Sequence, residues 1–193
     1  MDIAYVAFFS AFAMNSLLSL GFGLGFLTRR SPAGLAEALV PSLSAFISGI
    51  VVYPLFTFVL APFALGYLES FLLLPVVALT CVLVDLGVGS VIGGGRRIGD
   101  QAALSGFDGI VYASSYMVLR LSSGYGEAAA FSAGAALGFL VCAAVLAAVR
   151  ERSEAEAIPR CLRGTPLLVL ASGLFALCTV FIASAAYTAF GGR

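Results

Sequence analysis

The sequence predicts an all-α integral membrane protein, with six transmembrane helices in two inverted three-helix halves. Three observations carry that expectation. Of 193 residues, 61% are hydrophobic and 10% charged, against about 45–50% apolar and about 25% charged in an average soluble domain. Six spans of about 20 residues, the length that crosses about 30 Å of hydrocarbon, use about 120 residues, and 61% of 193 is about 118. The arginines, finally, are distributed unevenly among the loops that separate the apolar runs.

Charges and Gly/Pro clusters bound the apolar runs near 3–27, 38–60, 66–92, 102–122, 127–149 and 164–190. The first run has no basic residues before it and is too long for the apolar part of a cleaved signal peptide. It is therefore expected to be a retained span, with the mature protein starting at residue 1. Ala61-Pro62 separates the second and third spans, and Glu69 comes early in the third, which predicts a tight hairpin. Gly93-Gly94-Gly95-Arg96-Arg97 is the clearest linker and divides a single membrane domain, 1–193, into halves 1–94 and 95–193. In the fifth span Ala130, Gly134, Gly138 and Cys142 recur every four residues and predict a close-packing face. The cysteine on that face acts as a small apolar residue. Arg150-Glu151-Arg152, with Glu154 and Glu156, carries the fifth helix out of the membrane as a solvated, charged turn.

Arg29, Arg30, Arg96, Arg97, Arg150, Arg152, Arg160 and Arg163 lie in the first, third and fifth loops, against Arg120 and Arg193 elsewhere. By the positive-inside rule those loops are cytoplasmic, and both termini lie on the non-cytoplasmic side. Each half has an odd number of spans, so the second half crosses in the opposite sense to the first, as in an inverted-topology repeat. The best sequence echo between the halves is short, Ser10-Ala11-Phe12 against Ser105-Gly106-Phe107.

Ten basic and ten acidic residues give zero net charge, which leaves no basic field for nucleic acid and no polybasic anchor for anionic lipid. Every basic residue is Arg, and Lys, His and Trp are absent. That excludes a lysine Schiff base, a histidine relay and a His-ligated metal. Cys81, Cys142, Cys161 and Cys178 have no metal-ligand spacing and predict no disulfide framework.

The polar residues left inside the membrane are few. Asn15 and Gly21-x-Gly23-x-Gly25 lie in the first span, and Asp108-Gly109 and Ser114-Ser115 in the fourth. These are corresponding spans of the two halves, where an inverted repeat breaks its helices near the bilayer midplane; the glycines alone also read as close-packing contacts. Glu37, Asp85 and Asp108 lie toward the cytoplasmic side and are the ion-path candidates, with Arg29, Arg30, Arg96 or Arg97 as partners. The plainer readings are a carboxylate at a helix N-terminus for Glu37 and an interfacial side chain reaching water for Asp85.

Several segments resemble a known family. Ala147-Ala148-Val149-Arg150-Glu151-Arg152, continued by Ala155, Pro159, Arg163-Gly164 and Leu170-Ala171-Ser172-Gly173-Leu174, is similar to the fifth loop and sixth helix of the Rnf/Nqr membrane-subunit family, in particular its Rnf A-type members and the related Nqr E-type members. Asn15 with its following Leu and Gly-x-Gly run, Ala36-Glu37-Ala38 and Asp85 match elsewhere along the chain. The resemblance implies an integral component of a bacterial inner-membrane complex that couples electron transfer, between carriers such as ferredoxin, NADH or a quinone, to Na+ or H+ translocation. It also implies a homologous six-helix sister of opposite topology, further Rnf/Nqr-type subunits, and a [2Fe-2S] cluster shared with the sister. In the family each sister gives two cysteines, from its first and fourth spans, and thiolates are the usual ligands of such clusters. Here the first-span motif falls on Leu20-Gly21-Phe22-Gly23-Leu24-Gly25-Phe26, with Gly25 or its neighbour at the cysteine position, and the fourth-span motif on Ala113-Ser114-Ser115. Asn15, Gly25, Ser114 and Ser115 thus mark the cluster positions, without the ligand cysteines. The expected function is a membrane component of a translocating oxidoreductase with no complete active site of its own. The alternatives are a stand-alone inverted-repeat secondary transporter and a structural component without a redox role.

Overall fold

A computed structural model of the chain describes residues 3–12, 35–63, 68–92, 109–155 and 164–190. These residues are helical throughout apart from short turns, and no strand occurs among them. The helices are α1 (Ile3–Phe12), α2 (Leu35–Pro54), α3 (Glu69–Ile92), α4 (Ile110–Leu121), α5 (Tyr125–Ala155) and α6 (Thr165–Phe190). Three stretches, Ala38–Leu60, Tyr125–Arg152 and Thr165–Ala185, are long and apolar enough to cross a membrane, and Glu69–Val84 and Ile110–Leu121 are shorter apolar helices. The chain is a membrane protein.

The surface points to the same solvent. Phe71, Leu79 and Leu86 of α3 and Leu174, Leu177 and Phe181 of α6 are all exposed, an arrangement that is costly in water and favourable against lipid or another helix. Four hydroxyls of α6 are satisfied within the helix itself. Ser172, Thr179, Ser184 and Thr188 donate to the carbonyls of Val169, Ala176, Phe181 and Ala185, at 2.8–2.9 Å. A helix that bonds its own hydroxyls needs no water at that depth.

α5 is the central element. It packs chiefly on α1 and α2, and α2 packs in turn on α4 and α3. Val52, Phe56, Leu73, Val77, Val111, Phe139 and Leu146 form the main buried core between α2, α3, α4 and α5. The small-residue face expected on α5 sits at its closest contact: a Cβ on Gly134 would collide with Ser10 and with the backbone carbonyl of Ala7, both on α1. A Cβ on Gly49 of α2 would likewise meet the Ser132 side chain of α5. Backbones can approach this closely only where side chains are absent.

Two boundaries have local causes. Pro54 has no N–H to return to Ile50, and the helix of the second span continues through a π-helical turn, Leu55–Leu60, and a 3-10 turn, Ala61–Phe63. Residues 102–108 of the expected fourth span lie outside the described residues, and α4 begins at Ile110. Gly109 precedes it with φ 77°, a left-handed conformation that ends helical geometry and that glycine adopts without steric cost. The 12 residues of α4 cover about 18 Å, little more than half a hydrocarbon thickness. α5, by contrast, has 31 residues and reaches about 46 Å, more than the hydrocarbon thickness, and Glu151 and Arg152 near its end are exposed.

At the other end of α4, Arg120 meets Glu69 of α3 at 3.5 Å and lies 5.4 Å from the Tyr116 ring centroid. Arg120 is more than half exposed, so solvent and salt screen the pair. Glu69→Gln is expected to leave the thermal unfolding midpoint almost unchanged, and a large drop at high salt would contradict this reading.

Candidate functional site

The fourth span contributes Ser114 and Ser115, the two described residues among the expected cluster positions. Gly109 sets where α4 starts, and the first turn, with Val111 fully buried, anchors it in the core. Ser114 and Ser115 follow one turn later, 4% and 0% exposed. The Ser114 hydroxyl donates to the Val111 carbonyl at 3.0 Å, within its own helix. The Ser115 hydroxyl lies 2.8 Å from that of Ser48 on α2, which is also 0% exposed.

This pair belongs to a polar seam between α2, α4 and α5. Ser42 of α2 donates to the Ala136 carbonyl of α5 at 2.9 Å, and Ser132 of α5 donates to Ala128 at 2.7 Å, beside Gly49. Ser44 lies one turn before Ser48 and is buried as well. The hydroxyls of this seam hold the helices together and offer polar atoms at depth. Sequence reasoning singled out Ser114 and Ser115 and missed Ser42, Ser48 and Ser132. The available signal was the i, i+4 pair Ser44 and Ser48 next to Gly49, a polar and small face on an otherwise apolar helix.

Two of the remaining candidates fall in described helices. Glu37 falls in the first turn of α2 and Asp85 in α3. Asp108, Asn15 and Gly25 lie outside the described residues. Among the described residues, no three His, Cys, Asp or Glu side chains come together as a metal site. Cys81 and Cys142 are buried in the core on α3 and α5, and Cys178 is exposed on α6. Two engaged hydroxyls and a glycine do not make the thiolate donor set that an iron–sulfur cluster uses.

Removing one hydroxyl of the Ser48–Ser115 pair leaves the other buried without that partner. Measured cycles between membrane helices average about 0.6 kcal/mol and reach about 1.7 kcal/mol. A double-mutant cycle of Ser48→Ala and Ser115→Ala is expected to give a coupling in that range, and strict additivity would mean that the two hydroxyls do not interact.

The chain is 27% identical over 185 residues to the Acetobacterium woodii protein named as the A component of a Na(+)-translocating ferredoxin:NAD(+) oxidoreductase complex, covering 92% of this chain and 94% of that one. It is 26% identical over 132 residues to the Shewanella pealeana protein named as the A component of an ion-translocating oxidoreductase complex, covering 68% of this chain and 69% of the other. No protein-family model matches the chain.

Proposed function

The chain belongs to the Rnf/Nqr membrane-subunit family, and on that premise we propose that it is the A-type component of an ion-translocating oxidoreductase complex. The observation that carries the reading is collinearity: the similarity to an A-type relative runs over 92% of this chain and 94% of that relative. In such a complex the chain works as scaffold and ion path while electrons pass between carriers such as ferredoxin and NAD+. On this reading the active site of the complex is completed by other subunits.

The proposed architecture is six spans in inverted halves, 1–94 and 95–193. The pattern of helix contacts supports it. Exchanging α1 with α4, α2 with α5 and α3 with α6 turns the α1–α5 contact into α4–α2, α2–α3 into α5–α6, and α3–α4 into α6–α1. The α2–α5 contact maps onto itself, which is what a pseudo-two-fold axis between those helices requires. The contact of α4 with α5 would map onto α1 with α2, a pair that is not in comparable contact among the described residues, where α1 ends at Phe12.

The arginine distribution supports a cytoplasmic side at the first, third and fifth loops, with both termini opposite, in a bacterial inner membrane. Asp85, Asp108 and Glu37 are the proposed ion-path acids. The proposed partner is a homologous six-helix sister of opposite topology, together with the other subunits of the complex. Affinity purification of the tagged chain from native membranes in mild detergent tests the assignment. The expected eluate contains a second six-span protein and redox-active partners. A lone chain that takes up solute when reconstituted in liposomes contradicts it and supports the secondary-transporter alternative.

A further inference from the structure

We infer that this chain contributes no cluster ligand from its first- and fourth-span cluster positions, and that at the fourth-span position a hydroxyl pair ties α2 to α4 where a shared metal centre would need an exposed donor. The inference rests on the family reading above, since that reading is what makes the position notable.

A cluster shared between two chains needs donors on the surface where the chains meet. Ser114 and Ser115 are buried within this chain alone, 4% and 0% exposed, before any partner is added. Both hydroxyls are also engaged, Ser114 with Val111 on its own helix and Ser115 with Ser48 across the α2–α4 interface. To ligate iron, Ser115 must leave Ser48, lose its proton and turn outward through packed helices. An alkoxide in an apolar interior carries a large desolvation cost, whereas a thiol is readily deprotonated by a metal.

At the first-span position Gly25 has no side chain to offer. The described cysteines are also placed elsewhere: Cys81 and Cys142 are core residues of α3 and α5, and Cys178 is on α6, while Cys161 lies outside the described residues. With no His or Lys in the sequence, no nitrogen donor of those types substitutes for the missing thiolates. An iron–sulfur cluster at this place in the complex would therefore draw its ligands from other subunits.

The test is made on the purified complex. Iron, acid-labile sulfide and the electron paramagnetic resonance spectrum are compared among the wild type, Ser114→Ala and Ser115→Cys. Ser115→Cys is nearly isosteric, and if oxygen at this position ligated iron, exchange for sulfur would change the spectrum. The expected result is the same iron and sulfide per complex and superimposable spectra in all three. Loss of iron in Ser114→Ala, or an altered spectrum in Ser115→Cys, overturns the inference.

If the chain instead purifies without partners, the functional reading has failed and the inference is read on the lone chain. There the expected iron content is zero, and stoichiometric iron overturns it.

Discussion

Gly134→Ala is expected to destabilise the protein by about 1–3 kcal/mol, the usual cost of forcing atoms into a packed site. The new methyl group meets the Ala7 backbone carbonyl as well as the Ser10 side chain. A side chain can rotate away, but a carbonyl within α1 moves only if the helix moves, so α1 must be displaced from α5. Gly173→Ala on α6 is the matched control, because nothing lies within 4 Å of the position where its Cβ would be built. There the gain in helix propensity, up to about 1 kcal/mol, has no steric opponent, and the variant is expected to be neutral or slightly more stable. Unfolding in mixed detergent micelles checks both. Equal behaviour of the two variants would remove the close α1–α5 contact from this account.

Asp85→Asn is expected to lower redox-driven ion uptake by on the order of tenfold, about 1.4 kcal/mol on the limiting step, while the complex still assembles. Asp85 is an acid in the third apolar span, and such residues persist in hydrocarbon chiefly where they serve ions or buried pairs. The amide keeps the shape and removes the charge. Uptake in vesicles containing the variant complex checks this, with electron transfer measured in parallel. If uptake per electron is unchanged in Asp85→Asn and in Asp108→Asn, the chain has a structural role and the ion path lies elsewhere.

Much of the fold can be read in the sequence because lipid imposes simple length and polarity rules. Ala38–Leu60, Tyr125–Arg152 and Thr165–Ala185 fall on the second, fifth and sixth expected spans for that reason. The packing role of the α5 small-residue face was legible too, since a repeat of four puts Gly134 and Gly138 on one side of a helix. Asp108-Gly109 marked a place where a helix breaks, but the left-handed conformation of Gly109 just before α4 is one that composition does not encode.

The Ser48–Ser115 contact joins residues 67 positions apart. Its existence depends on how α2 crosses α4, which no local pattern specifies. Ser115 was legible as a marked position through resemblance, whereas its bond to Ser48 emerged only from tertiary packing.

The most direct test of the central claim is redox-driven ion uptake by inverted membrane vesicles, comparing the native strain, a strain deleted for this chain, and the deletion complemented with it. The account predicts uptake that is lost on deletion and restored by the wild-type chain, together with the electron-transfer activity of the complex. Undiminished uptake and electron transfer in the deletion strain would contradict it.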